Sequence, residues 1–337
     1  MAACARHRPG ERLPGVGGGW RVNGVWLDLK KRSLKATTYE RYERIFVHHI
    51  IPKFGALPLQ KITAGDVDKL YAGFMMAPGT AELVHRVLKA CFASAVKKKL
   101  RTDNPVTDAE KPATEAREDG VVLDEAELAR LVQGFRGHSL YGVVAVAAFT
   151  GMRRNEILAL RWLDVDLEGG TISVSRNVED TEAQGRRIGT PRSKAGHRSF
   201  QIDPGLVGLL RMERERALRL VAGIPDGAEI DLSLVRLPDG ALVFPAIGAD
   251  LTAIRSPAGV TTLFIRRARR LGFANLSIHD LRGSHETALL DKGVPIHVVA
   301  KRCGHDPAVL LRVYAKRTRK SDATAANVIR TLTTGVL

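Results

Sequence analysis

Over the first hundred residues, apolar positions recur at helical spacing. Val25, Trp26 and Leu29 share one face, and Thr37-Thr38 offer a cap for a second helix carrying Tyr42, Ile45, Phe46 and His49 towards Ile50, with Pro52 expected to end it. Thr63 offers the cap of a helix through Val67, Leu70 and Phe74. Pro78-Gly79-Thr80 punctuates before a long helix through Leu83, Val87, Leu88, Phe92 and Val96, which finishes in Lys97-Lys98-Lys99-Leu100-Arg101 before Asn104-Pro105 stops it. The pattern predicts a four-helix module over residues 20–107. It is preceded by a loose basic tail over 1–19, rich in Gly, Arg and Pro, and followed by a charged linker over 108–120 that has no apolar period.

From 121 to 337 the pattern is mixed. Asp124 is a plausible N-cap, Tyr141 to Phe149 is an almost wholly apolar run that predicts a buried helix ended at Thr150-Gly151, and Met152 to Leu160 opens another helix. Thr171 to Ser175 alternates like a strand, Arg192 to Ile202 reads as a hairpin turning at Ala195-Gly196, and Leu237 to Phe244 reads as a second hairpin. Helices are expected again over Leu206–Val221, over Val260–Leu271 with an Arg-rich face, and from Ser277 through Leu289-Leu290 to Gly293. In Gly304 to Arg317, Asp306 can cap a short helix and Pro307 suits its first turn, so Tyr314, nine residues after His305, falls near the far end.

Charge changes the picture more than composition does. The 337 residues carry a net charge of +16 with a pI near 10.1, and 45% hydrophobic residues are enough for two cores. Residues 1–105 hold 19 Lys or Arg against 8 Asp or Glu, so two thirds of the excess lies in under a third of the chain. Such an excess attracts a polyanion through counterion release, and nucleic acid is the favoured partner. No run of about 18 or more apolar residues and no secretory centre occurs, so no membrane is expected and the cytoplasm is the default. Cys4, Cys91 and Cys303 lack metal-ligand spacing, which argues against both a disulfide framework and a zinc site.

Several groups then become candidates for chemistry. Arg153 and Glu156 share a helix face, where an arginine beside a carboxylate can be an ordinary structural ion pair. Lys194 lies beside the expected hairpin tip. His279 and Arg282 stand one turn apart at a helix N-terminus, a ready phosphate clamp, although the histidine can instead cap and the arginine pair with Glu286. Lys97, Lys98, Lys99 and Arg101 either complement a helix dipole or contact DNA phosphates.

Taken in order, these pieces resemble the tyrosine recombinases of the phage-integrase type. Thr150-Gly-Met-Arg-Arg-Asn-Glu-Ile-Leu158 looks like the family's first arginine box, His279-Asp-Leu-Arg282 like its second, and Cys303-Gly-His305 with Tyr314 like its nucleophile segment. Gly283 stands where histidine is common and Cys303 where leucine is. The resemblance, spanning about residues 20 to 320, implies a mainly α protein with small sheets and hairpins. It implies a two-domain clamp, a helical SAM-like core-binding domain followed by an α+β catalytic domain over 121–337.

It also implies cleavage and rejoining of double-stranded DNA through a 3′-phosphotyrosyl intermediate and a Holliday junction, with no metal, ATP or other cofactor. Tyr314 is then the nucleophile, Arg153, Arg282 and His305 hold the phosphate, Lys194 protonates the leaving 5′-oxygen and His279 assists Tyr314, whose unperturbed pKa is about 10. Glu156 supports its neighbours. The expected setting is a homo-tetramer on DNA in the cytoplasm, associated with the nucleoid, with accessory directionality or DNA-bending proteins as further partners. The tail is too short for a separate arm-binding domain, and 318–337 is a candidate segment for docking on a neighbouring subunit. A tyrosine-class topoisomerase and a non-catalytic DNA-binding relative remain as alternative readings.

Overall fold

The computed structural model describes residues 25–74, 76, 78–112, 120–191, 194–225, 229–317 and 330. The predicted tail, most of the linker and, apart from Arg330, the segment after Arg317 lie outside the described residues. Two compact units divide the chain: Met1–Glu118 with Asp180–Gly185, and Asp119–Glu179 with Arg186–Leu337.

The first unit is helical. It contains α1 (Val25–Lys31), α2 (Ala36–Ile45), a π-helical turn (Phe46–Ile50), α3 (Ile51–Phe54), α4 (Ala64–Ala72), α5 (Pro78–Lys97) and α6 (Pro105–Asp108). On α1 it is Trp26 and Leu27 that are buried, while Leu29 is exposed. Helix α2 starts after Lys35 with no side-chain cap, so Thr37 and Thr38 lie inside its first turn. Pro52 does not end the helical run; it sits in the first turn of α3, where its missing N–H costs nothing, because the wide π turn before it interrupts the regular hydrogen-bond ladder. Thr63 caps α4 as expected, in a capping box with Asp66. Val67, Leu70, Val87, Leu88 and Phe92 close on Phe46 and Ile50 to form the core.

The basic end of α5 divides in two. Lys97, Lys98 and Lys99 are exposed, and Lys99 takes the left-handed conformation (φ 58°) that lets the Leu100 N–H bond back to the Ala95 carbonyl. Arg101, expected with them as a DNA contact, turns inward instead. Its Nη1 donates to the Leu59 and Ile62 carbonyls at 2.6 and 2.7 Å and its Nη2 pairs with Asp103. A guanidinium fork satisfies backbone carbonyls that the end of a helical unit leaves open, and Arg101 is spent on that task.

The second unit contains α7 (Glu125–Gly134), α8 (Tyr141–Thr150), the one-turn α9 (Arg154–Ile157), strands β1 (Val165–Asp166) and β2 (Thr171–Val174), the parts of β3 (Asn177–Thr181) and β4 (Gly185–Gly189) outside Asp180–Gly185, and β5 (Arg198–Gln201), then α10 (Pro204–Ala222), α11 (Pro257–Arg270), α12 (Asp280–Asp291), α13 (Ile296–Cys303) and α14 (Pro307–Arg317). Helix α8 is its axis: Val143, Val144, Val146 and Ala148 are buried, and Gly151 ends it with φ 64°. A side chain at Gly151 would press on the His285 ring at 2.8 Å, so glycine is needed for both conformation and space.

Two strand expectations change. Over its described residues the predicted hairpin at 192–202 does not form: β5 pairs antiparallel with β2, Ile172 facing Phe200, across the intervening β3–β4 ribbon, to give the order β1-β2-β5. Alternation located β5 correctly, but its partner is set by the burial of Ile172 and Val174, which local spacing does not show. Lys194 therefore opens a short 3₁₀ turn, Lys194–Gly196, immediately before β5, rather than flanking a hairpin tip. The stretch Leu237–Phe244 is irregular, carrying one isolated bridge between Arg161 and Leu242. No helix among the described residues is long and apolar enough to cross a membrane.

Candidate active site

Two chain reversals, each turning on a left-handed glycine, build the site. The first is the α8–α9 junction at Gly151 and the second the α13–α14 junction at Gly304 (φ 68°). Arginines brace them reciprocally. Arg153, the N-cap residue of α9, donates from Nη2 to the Gly304 carbonyl at 2.9 Å, and Arg282, in the first turn of α12, donates from Nη1 to the Gly151 carbonyl at 2.6 Å. Arginine serves here because its rigid fork spans two acceptors at once.

Each guanidinium has its own carboxylate. Glu156 accepts Arg153 Nη1 at 2.9 Å and the Arg153 backbone N–H at 3.0 Å. Glu286, one turn beyond Arg282, lies 3.0 Å from both Arg282 Nε and His305 Nε2. Burial would raise both carboxyls, but hydrogen bonds and opposite charges outweigh it: Arg198 and Arg153 hold Glu156 below the usual carboxylate range, and His305 and Arg282 do the same for Glu286. Arg282 is 2% exposed, and its Nη2 has no hydrogen-bond partner among the described residues. His305 completes the cluster, its Nε2 lying 3.2 Å from Arg282 Nε.

His279 occupies the N-cap position of α12 without capping through its side chain; Asp280, the first helical residue, instead accepts from the Ser277 backbone N–H and hydroxyl and ties down the turn before the helix. Burial and then the Arg282 charge lower the imidazole pKa, although the residue as a whole is solvent-exposed. His279 and Arg153 line a cleft of about 500 Å³ together with Glu156, Asn177, Pro191 and Gly196. Lys194 is placed by its backbone alone, at the start of the turn that forms this cleft's rim. Cys303 is buried, which pushes its thiol up to about 12 and leaves it unreactive.

Tyr314 stands apart. Its hydroxyl donates to Asp291 Oδ1 at 3.0 Å, and Asp291 is the last residue of α12, nine residues beyond Arg282. At about 1.5 Å per residue that is roughly 13 Å along the helix axis. So Arg153 pairs with Glu156 and Arg282 with His305, the Arg153 bond to the Gly304 carbonyl brings the two pairs together, His279 shares the cleft of Arg153 and Glu156, and the tyrosine is held at the other end of α12.

Arg198 was not a sequence candidate. It pairs with Glu156 through Nη2 at 2.8 Å while its Nε reaches the Arg302 carbonyl at 2.7 Å. Its only local signal is a position four residues after Lys194, on a strand where it shares a face with buried Phe200 while Ser199 and Gln201 are exposed. Among the described residues no group of three or more His, Cys, Asp or Glu side chains is disposed to hold a metal ion.

Residues 24–75 match the profile of the phage integrase N-terminal SAM-like domain. A Mycobacterium tuberculosis protein named as a prophage phiRv2 integrase is 25% identical over 98% of this chain and 81% of its own length. A XerC-like tyrosine recombinase of Caldanaerobacter subterraneus is 22% identical over 91% of this chain and 81% of its own. In fold, the chain is similar to the Tn1549 transposon integrase, solved with a circular intermediate DNA, with a TM-score of 0.73 at 18% identity over 92% of this chain and 99% of that one. It is also similar to lambda integrase, solved as a tetramer on a Holliday junction, with a TM-score of 0.59 at 19% identity over 83% of this chain and 76% of that one. In its two arginine boxes, its amino-terminal match and its relatives along nearly its whole length, this chain is similar to the tyrosine recombinases of the phage-integrase type.

Proposed function

We propose that the chain integrates or excises a phage or other mobile element by cutting and rejoining double-stranded DNA through a 3′-phosphotyrosyl ester on Tyr314. The observation that carries this reading is the reciprocal brace: Arg153, which lines the cleft with Glu156, holds the Gly304 carbonyl beside His305, while the buried Arg282 holds the Gly151 carbonyl and contacts His305. Such a cleft suits a phosphodiester, whose charge grows as the pentavalent state forms. The Tyr314 oxygen bonds to phosphorus, the bond to the 5′-oxygen breaks, and the phosphate remains as an ester that a second 5′-hydroxyl can attack. Because the ester conserves the phosphodiester bond energy, resealing needs no ATP.

Arg153 and Arg282 stabilise the non-bridging oxygens, and His305 adds a hydrogen bond. The unpartnered Arg282 Nη2 is a donor in reserve, reached when DNA seating shifts its surroundings. His279, its pKa lowered, is neutral at pH 7 and so competent to accept the phenol proton. Lys194 is assigned the proton for the leaving 5′-oxygen. A helical unit over 20–107 and a catalytic unit over 121–337 divide DNA binding from chemistry, and four subunits on paired sites pass through a Holliday junction, as the lambda integrase tetramer suggests. Covalent capture of nicked DNA in EDTA without ATP tests the proposal, and a strict requirement for a divalent metal sinks it. Exchange between paired sites separates a recombinase from a topoisomerase or a DNA-binding relative without activity.

Two further outcomes are expected. Asp291→Ala releases the phenol from a hydrogen bond worth about 1 kcal/mol and raises single-turnover cleavage about fivefold; an unchanged or slower rate contradicts a holding role. Replacing Lys97, Lys98 and Lys99 with glutamine flattens the salt dependence of DNA binding by about 0.9 per lost phosphate contact in log–log slope. An unaltered slope would return the run to helix-end charge.

A further inference from the structure

We infer that Arg198 is a positioning residue for the leaving-group step, one that seats the Lys194–Gly196 turn against the phosphate cleft; this rests on the reading of Lys194 as the proton donor. The Arg198 side chain is 3% exposed and its donors are divided among three segments. Nη1 reaches the Gly196 carbonyl at 3.2 Å and Glu156 Oε1 at 3.3 Å, Nη2 reaches Glu156 Oε2 at 2.8 Å, and Nε reaches the Arg302 carbonyl at 2.7 Å. One guanidinium thus fastens the turn to α9 on one side and to the end of α13 on the other.

The packing around it has the same sense. A Cβ on Gly304 would come within 2.7 Å of the Ala195 carbonyl and 3.1 Å of Arg198 Nη1, so the turn lies directly against the corner that presents His305. Arg302 stacks over Phe200 of β5 at 4.8 Å and donates to the Gln201 carbonyl, which closes the strand onto α13. Glu156 keeps Arg153 through two contacts that do not involve Arg198, whereas the Gly196 carbonyl has Arg198 as its donor. Losing the guanidinium therefore loosens the lysine turn more than it disturbs Arg153. A lysine at 198 would keep the buried positive charge for Glu156, but a single ammonium cannot span the carboxylate and two carbonyls.

The experiment compares single-turnover cleavage of ordinary DNA with that of DNA carrying a 5′-bridging sulfur at the scissile phosphate, since a thiolate leaves without a proton. For Arg198→Lys, cleavage of ordinary DNA is expected to fall about 100-fold and cleavage of the sulfur substrate less than about threefold, with DNA affinity retained. Equal losses on both substrates, or no loss on either, overturn the inference. Lys194→Ala runs in parallel. If sulfur does not rescue it, the assignment of Lys194 as the acid fails; if sulfur rescues Lys194→Ala but not Arg198→Lys, the role of Arg198 fails by itself. Should Arg198→Lys not fold, Gly196→Ala, whose Cβ would meet Pro191 at 2.4 Å, displaces the same turn and must show the same selective loss.

Discussion

Replacing Tyr314 with phenylalanine abolishes covalent capture of DNA while leaving affinity for the site within about threefold. The change removes one oxygen. In the free protein that oxygen makes an exposed hydrogen bond to Asp291, a bond worth about 1 kcal/mol. The arginine clamp does not touch it: Arg153, Arg282 and His305 keep every contact that joins them. Binding and chemistry therefore separate cleanly. Capture of a nicked substrate by the phenylalanine variant at the wild-type rate would place the nucleophile elsewhere.

Arg282→Lys is expected to lower the single-turnover cleavage rate by about 10²–10³ with little change in DNA affinity. Removing one preorganised donor from a charge-stabilising site costs about 3 to 4 kcal/mol of barrier, and here the donor also organises its neighbours. Arg282 binds the Gly151 carbonyl through Nη1 while Nε faces both Glu286 and His305. An ammonium retains one of these partners. Lysine is a more informative substitution than alanine, because alanine would strand the buried Glu286 without its main cation and confuse lost chemistry with lost stability. A rate within about threefold of wild type would remove Arg282 from the phosphate.

The candidate site was largely legible in the sequence, because its parts lie in compact local signals: a carboxylate three residues after Arg153, a histidine three before Arg282, and a tyrosine nine after His305. Long-range placement was not. Arg198 and Glu156 are 42 residues apart, and nothing between them indicates that their side chains meet. Tyr314 sits on the expected helix, yet its hydroxyl is turned to Asp291 at the far end of α12, a matter of how α14 packs that spacing does not encode.

The misread elements have the same cause. Strand β5 was found by alternation and given the wrong partner, since pairing follows burial across the sheet. Arg101 has the look of surface charge until Leu59 and Ile62 present their carbonyls to it. Pro52 breaks a regular helix but not one that widens into a π turn beforehand. Helix α13 is different, because Ile296, Val299, Ala300 and Cys303 do repeat at helical spacing; the expected helix ending at Gly293 left them unassigned.

Digestion of the wild-type protein after reaction with a nicked DNA substrate, followed by mass spectrometry of the DNA-linked peptide, tests the central claim most directly. The account predicts a single adduct, a nucleotide 3′-phosphate esterified to the Tyr314 oxygen, formed in EDTA. An adduct on another residue, or a 5′-phosphate linkage, would contradict it.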